Sequence, residues 1–153
     1  MYSEVFPSRL KEARNLTGFT QKEVAKEINI SNVSISQYEN GSREPDINTL
    51  SKFADFYGCS VDWLIGRGDY PGFEPVYKWD GVISSRTTQF PAKMKSARQK
   101  TGLSQAKIAK QIGVPRSNIT KYELGQLEPN IETLAKLSAY YKVSSDWLLG
   151  LAQ

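Results

Sequence analysis

Histidine is absent from this chain of 153 residues, and cysteine occurs once, at Cys59. Without an imidazole, the chain cannot use a histidine base, a Ser-His or Cys-His pair, or a histidine-bound metal. One cysteine cannot form a disulfide within the chain or supply a zinc cage. We therefore expect no catalytic residue, no metal and no cofactor, and we expect Cys59 to be a small apolar side chain in a core.

Long apolar runs are also missing. No segment approaches the ~20 consecutive apolar residues that span a bilayer. The N-terminal stretch MYSEVFPSRLKEAR lacks the apolar region of a secretion signal. These features predict a soluble, cytoplasmic protein without a membrane partner.

The sequence contains a repeat with a shift of 84 residues. Residues 6–66 align with residues 90–150 without a gap, and 27 of the 61 aligned pairs are identical. Two copies at this spacing favour paired globular domains, because a solenoid needs about three or more shorter repeats. We predict a first domain at 1–67, a connector at 68–88 and a second domain at 89–153.

Charge is divided unevenly between the two copies. Residues 1–68 carry 8 basic and 9 acidic side chains, whereas residues 89–153 carry 10 and 4. The net charges are −1 and +6, and the residues between them add −1 to give the total of +4. A basic surface suits a polyanion such as nucleic acid, so the second copy is expected to contribute more to such binding.

Each copy has the pattern of five short helices. In the first copy we predict helices from Pro7 to Leu16, after a cap at Thr20, after a cap at Ser31, over INTLSKFADFY, and after a cap at Ser60. Glu23 completes a capping box with Thr20, whereas the second copy has Lys107 at that position. The predicted fold is all-α.

The second and third helices are joined by a short turn, which is the helix-turn-helix pattern. Both copies resemble lambda-repressor-like, Cro and xenobiotic-response-element type domains. The resemblance is carried by TQKEVAKEINISNVSISQYENGSREPDINTLSKFADFYGCSVDWLIG and by SQAKIAKQIGVPRSNITKYELGQLEPNIETLAKLSAYYKVSSDWLLG. It implies two tandem five-helix DNA-binding domains, each with its third helix in the major groove.

The third helix of each copy has an apolar and a polar side. Ile35 and Tyr38 anchor it in the first copy, and Ile119 and Tyr122 do so in the second. Arg and Lys suit a guanine edge, Asn and Gln suit adenine, and Val suits a thymine methyl. The predicted base-reading residues are Asn32, Val33, Ser36, Gln37 and Asn40, and then Arg116, Ser117, Thr120 and Lys121. A solvated polar face without function is the alternative.

Phosphate contacts are expected next to these faces. Gln21 and Gln105 lie in the first turn of the second helix, where free N–H groups favour an anion. The resemblance implies phosphate contacts for these two glutamines and for Asn40 and Arg43. In the second copy Leu124 and Leu127 replace Asn40 and Arg43, and Lys107, Arg116 and Lys121 are expected to substitute through their charge.

Arg14 and Arg98 have a different predicted role. In domains of the resembling type, the arginine of the first helix pairs with a glutamate of the third, here Glu39 and Glu123. We therefore assign both arginines to stability, not to DNA.

The connector contains four aromatic residues, Tyr70, Phe73, Tyr77 and Trp79, and YKWDGVIS carries a hairpin signal. Two interpretations remain open for it. It is either a strap over the domain surface or a self-association element that makes a homodimer.

Two function classes follow from the sequence. The first is a sequence-specific regulator of transcription, a repressor by resemblance, whose partner is a double-stranded DNA operator. The second is a protein-interaction or antitoxin-like adaptor in which only the second copy binds DNA. The unlike outward faces predict unlike half-sites for a single chain, whereas a perfect palindrome would indicate two chains.

Overall fold

The computed structural model describes residues 2–68, the first unit, and residues 89–151, the second unit. The first unit contains helices α1 (Tyr2–Thr17), α2 (Gln21–Ile28), α3 (Asn32–Asn40), α4 (Ile47–Tyr57) and α5 (Val61–Leu64). The second contains α6 (Phe90–Thr101), α7 (Gln105–Ile112), α8 (Arg116–Leu124), α9 (Ile131–Tyr141) and α10 (Ser145–Leu148). Every regular element in these two ranges is helical, which confirms the predicted all-α fold. No helix among them is long and apolar enough to cross a bilayer.

The connector's aromatic residues and the hairpin predicted at YKWDGVIS lie outside the described residues.

The start of α1 differs from the prediction. The helix begins at Tyr2 and contains Pro7 in its interior, so the predicted start at Pro7 was wrong. Packing explains the earlier start, because Phe6 is fully buried and the Val5 side chain lies against Gly66. In the second unit Pro91 does occupy the first turn of α6.

Local capping defines the helix-turn-helix segments. Thr20 and Glu23 form the predicted capping box of α2, with N–H to oxygen distances of 3.0 and 3.1 Å in the two directions. Ser31 caps α3 through the N–H of Ser34 at 3.0 Å. At the matching position of α8 stands Pro115, which has no side chain able to accept such a bond.

The third helix of each unit ends where the first helix approaches it. Gly41 ends α3 with a φ of +80°, and a Cβ there would lie 3.3 Å from Pro7 Cγ. Gly125 ends α8 with a φ of +73°, at the same distance from Pro91 Cγ. Both the left-handed backbone and the close proline favour glycine. These contacts fix the angle at which the third helix lies on the unit.

The two units pack against each other. Helix α1 contacts α9, and α5 contacts α10. Buried apolar side chains from both units belong to one continuous cluster. Cys59, the single thiol, is buried, and its pKa is raised to about 12 by burial, with the nearby Asp146 carboxylate adding to the shift. The cluster therefore joins the two repeats into one folded body.

Two buried or half-buried carboxylates cap helices across this interface. Asp62 accepts the N–H of Ser145 at 3.0 and 3.1 Å, at the start of α10. Asp146 accepts the N–H groups of Val61 at 2.8 Å and of Asp62 at 3.3 Å, at the start of α5. First-turn N–H groups have no partner within their own helix, so each unit satisfies those of the other. Arg67 also pairs with Asp62 at 2.7 Å and donates to Val143 O at 3.3 Å.

A second, outer pair of caps follows the same pattern. Glu44 accepts the N–H of Ile131 at 3.2 Å, at the start of α9. Glu128 accepts the N–H of Ile47 at 3.4 Å, at the start of α4. Both glutamates lie in the loop that follows the third helix of their unit, so these caps connect the helix-turn-helix segments with the interface.

Asp146 has the most strongly perturbed carboxyl pKa at the interface. Burial raises its pKa to about 6, the neighbouring Asp62 carboxylate adds to the increase, and the N–H donors of Val61 and Asp62 oppose it. In an unfolded chain the same group titrates at about 3.9. Between these two values the folded chain holds a proton that the unfolded chain has lost.

We therefore expect the free energy of unfolding contributed by Asp146 to decrease by on the order of 2 kcal/mol as the pH rises from about 4 to 6, and to level off above that. Replacing Asp146 by Asn keeps an acceptor but removes the titration. Urea unfolding across this pH range should show Asp146→Asn gaining stability relative to the unaltered chain, with exposed Glu27→Gln as control. A difference independent of pH would contradict this expectation.

Candidate nucleic-acid interface

The third helix of each unit is held by two buried anchors. Ile35 and Tyr38 are buried in the first unit, and Ile119 and Tyr122 in the second. Tyr38 packs edge-on against Phe53 with ring centroids 5.9 Å apart. Since the anchors face the core, the opposite sides of α3 and α8 face solvent.

The structure places the predicted base-reading residues on these solvent sides. Asn32, Val33, Asn40, Arg116, Ser117 and Lys121 are exposed, and Ser36, Gln37 and Thr120 are half-buried. Val33 is 66% exposed, so its apolar side chain is available to a ligand on this face. The two surfaces have the same position on their units but different chemistry: neutral polar in the first and cationic in the second.

A buried ion pair lies directly behind the first surface. Arg14 donates to Glu39 through Nε at 2.8 Å and through Nη2 at 3.0 Å, and the Glu39 side chain is only 4% exposed. The hydrogen bond to Glu39 raises the pKa of Arg14. Gln21 also donates its amide to Glu39, at 3.2 Å. The predicted pairing of Arg14 with Glu39 is confirmed, and its stabilising role stays a prediction. The additional hydrogen bond from Gln21 to Glu39 was not predicted.

The second unit repeats this arrangement and adds one bond. Arg98 contacts Glu123 at 2.7 and 2.9 Å, and Gln105 donates to Glu123 at 3.3 Å. Thr120, on the outer side of α8, donates to the amide oxygen of Gln105 at 2.6 Å. Gln105 is therefore held from two sides, and the start of α7 is fixed against α8.

Asn40 and Arg43 are exposed near the end of α3. The Asn40 side chain accepts the N–H of Ser42 at 2.9 Å. Arg43 donates to the Ser34 hydroxyl at 3.1 Å, and its guanidinium lies 5.6 Å from the centre of the Tyr38 ring. These contacts hold the cation beside the outward face of α3, where it can meet a phosphate.

In the second unit the matching positions are apolar. Leu124 is 63% exposed and Leu127 is 37% exposed. Neither side chain can bond a phosphate, so the departure noted in the sequence is also a difference in surface chemistry. Lys107, Arg116 and Lys121 are all exposed on α7 and α8 and supply positive charge around the same face.

The arrangement is suited to a duplex in two ways. The outward faces present donors and acceptors on a helix that is narrow enough for the major groove. Gln21 and Gln105 begin their helices, where unpaired N–H groups and the helix dipole attract an anion. Sequence reasoning missed Asp62, Asp146, Glu44 and Glu128, whose only signal was their identity in both copies.

Comparison with known proteins gives a family match for both units. The helix-turn-helix family matches residues 10–64 and residues 94–148, together more than two thirds of the chain. The resemblance seen in the sequence is thereby confirmed. No solved structure matches the chain.

Several curated proteins are similar over part of the chain. The HTH-type transcriptional regulator ImmR of Bacillus subtilis is 48% identical over 61 residues, which cover 40% of this chain and 48% of that protein. The SPbeta prophage-derived uncharacterized HTH-type transcriptional regulator YonR of the same organism is 42% identical over 70 residues, which cover 46% of this chain and 64% of that protein. The cryptic phage CTXphi transcriptional repressor RstR of Vibrio cholerae is 31% identical over 65 residues, which cover 42% of this chain and 59% of that protein. The chain thus spans about half to two thirds of the length of these relatives.

Proposed function

Since the chain belongs to the helix-turn-helix family, we propose that it is a sequence-specific DNA-binding regulator of transcription, acting as a repressor in the cytoplasm and without catalysis. The observation that carries this proposal is the pair of exposed polar faces on α3 and α8, each anchored by a buried Ile and Tyr. Each face lies next to a glutamine that starts the preceding helix. This combination would allow base contacts and phosphate contacts from one surface.

The two faces would read different bases. Arg116 and Lys121 are suited to guanine, Asn32 and Gln37 to adenine, and Val33 to a thymine methyl group. Ser36, Ser117 and Thr120 would make shorter polar contacts in the same grooves. The phosphate contacts are assigned to Gln21, Gln105, Asn40, Arg43 and Lys107.

Repression is the simplest outcome of such binding. A chain that occupies an operator excludes other proteins from the same DNA, and this requires no further active site. One relative, RstR, is named a transcriptional repressor. The adaptor hypothesis has less support, because the first unit keeps Asn32, Asn40 and Arg43 exposed on α3 and in the loop that follows it.

Selection of bound sequences from random duplexes, followed by affinity measurement, tests this function. The full chain should enrich a sequence that it binds roughly 10³-fold or more tightly than unselected DNA. Binding should weaken linearly with the logarithm of salt concentration, because Lys and Arg release counterions from phosphates. Failure to enrich any sequence would overturn the proposal. An enriched single half-site that is insensitive to Asn32→Ala and Gln37→Ala would favour the adaptor.

A further inference from the structure

The caps between the two units are reciprocal. Asp62 of the first unit caps α10, which begins at Ser145 in the second unit. Asp146, the equivalent of Asp62 after the shift of 84 residues, caps α5 of the first unit, which begins at Val61. Val61 is in turn the equivalent of Ser145. The outer caps of Glu44 and Glu128 obey the same rule. When each unit uses the same residue to contact the same position of the other unit, the two units are related by a two-fold axis. The tandem repeat is therefore folded back on itself as a pseudo-symmetric pair.

This symmetry has a consequence for the reading helices. A two-fold axis that relates the interface also relates α3 to α8, because each helix is rigidly packed on its own unit. When two helices related in this way bind one duplex, their half-sites are inverted, whereas units that follow one another by translation would bind direct repeats. The distance between the helices is fixed by the interface and not by the length of the connector.

We propose that Asp62 and Asp146, supported by Glu44 and Glu128, are positioning residues for operator binding: they hold α3 and α8 so that one chain alone reads an inverted pair of unlike half-sites at one fixed spacing. The proposal rests on the proposed function. None of the four carboxylates needs to contact DNA. They act by fixing the relative position of α3 and α8, whose outward faces contact the DNA.

A flexible tether between the units would not by itself impose this geometry. Residues 69–88 amount to 20 residues, and a flexible chain of that length has an end-to-end distance of about 25 Å with a broad distribution. Such a tether would let the units bind half-sites at many spacings and in either orientation. A narrow dependence on spacing is therefore a property that the interface supplies.

Binding to variants of the selected duplex tests the proposal. The probes carry the two half-sites at the selected spacing, with 5 bp inserted to move one half-site by half a helical turn, or with one half-site reversed. The unaltered chain should prefer the selected duplex at least about tenfold over both, with one chain per duplex by native mass spectrometry. Two chains per duplex, or a preference for the reversed half-site, would overturn the proposal.

Variants of the capping carboxylates distinguish a role in positioning α3 and α8 from a role in folding stability alone. The double variant Asp62→Ala, Asp146→Ala should bind the three duplexes with similar affinity, whereas Asp62→Asn, Asp146→Asn keeps acceptor oxygens and should restore the preference. Circular dichroism confirms that the helices are intact, and Glu27→Ala is the control for loss of an exposed carboxylate. If the Asp double variant does not fold, Glu44→Ala with Glu128→Ala tests the outer caps. A spacing preference unchanged in a folded alanine double variant would contradict the assignment.

A measurement without DNA keeps this inference distinct from the proposed function. Spin labels at Asn40→Cys and Leu124→Cys, in a Cys59→Val background, report the distance between the ends of α3 and α8. One narrow distance distribution is expected, and it should broaden in the alanine double variant. A broad distribution in the unaltered interface would overturn the pairing even if an operator is found. A narrow one without any selected operator would leave the pairing intact and reject the DNA function.

Discussion

Replacing Arg14 by alanine should lower the free energy of unfolding by about 3–5 kcal/mol, because it leaves the Glu39 carboxylate buried without its cation. Glu39 accepts two bonds from Arg14 and its side chain is 4% exposed, so water cannot take the place of the guanidinium. The reverse change, Glu39→Ala, should cost less, since the Arg14 side chain is 14% exposed and can be partly hydrated.

Urea unfolding followed by circular dichroism measures both losses. Arg98→Ala should repeat the result in the second unit, where Glu123 is buried to the same extent. Exposed Glu27→Ala serves as the matched control and should change the stability by less than about 0.5 kcal/mol. A loss below about 1 kcal/mol for Arg14→Ala would mean that the pair behaves like a surface salt bridge.

The second large effect concerns the cationic reading face. Arg116→Ala and Lys121→Ala should each weaken operator binding by about 1–3 kcal/mol, and the double variant should bind on the order of a hundredfold more weakly. Both side chains are exposed on α8, which Ile119 and Tyr122 fix from below. The unit that carries them has a net charge of +6, against −1 for the first unit. Phosphate neutralisation dominates non-specific affinity, so the second unit should supply most of the binding.

Fluorescence anisotropy with the selected duplex, repeated at several salt concentrations, separates the two roles. A side chain that contacts a base relaxes the preference at one base pair when it is removed, which is the result expected for both Arg116 and Lys121. A side chain that contacts a phosphate instead weakens binding to all sequences and reduces the salt slope by about one. The matched pair is Asn32→Ala and Gln37→Ala on α3, which should cost less. If Asn32→Ala and Gln37→Ala abolish operator binding while Arg116→Ala and Lys121→Ala leave the affinity unchanged in folded protein, the first unit supplies most of the sequence recognition.

Local signals account for what the sequence predicted. Caps such as Thr20 with Glu23, and the spacing of Ile35 and Tyr38, depend on residues within a few positions of one another. The ion pairs of Arg14 and Arg98 were reached through the resemblance and agree with the buried side of the third helix. Wherever neighbouring residues determine the outcome, a single sequence is sufficient.

The interface between the units could not be predicted in the same way. Asp62 and Asp146 stand in the first turn of a helix, where an acidic residue is already favoured by the helix dipole, so neither attracted another explanation. Their actual partners lie 83 to 85 residues away. The early start of α1 was missed for a related reason, because tertiary packing of Phe6 overrides the signal of Pro7.

The most direct test of the central claim is a crystal structure of the full chain on its selected duplex. The expected result is one chain whose α3 and α8 enter two successive major grooves, about 34 Å apart on one face of the duplex, with Arg116 and Lys121 directed at bases. Reading helices turned away from the DNA, or two chains that share the duplex through like units, would contradict it.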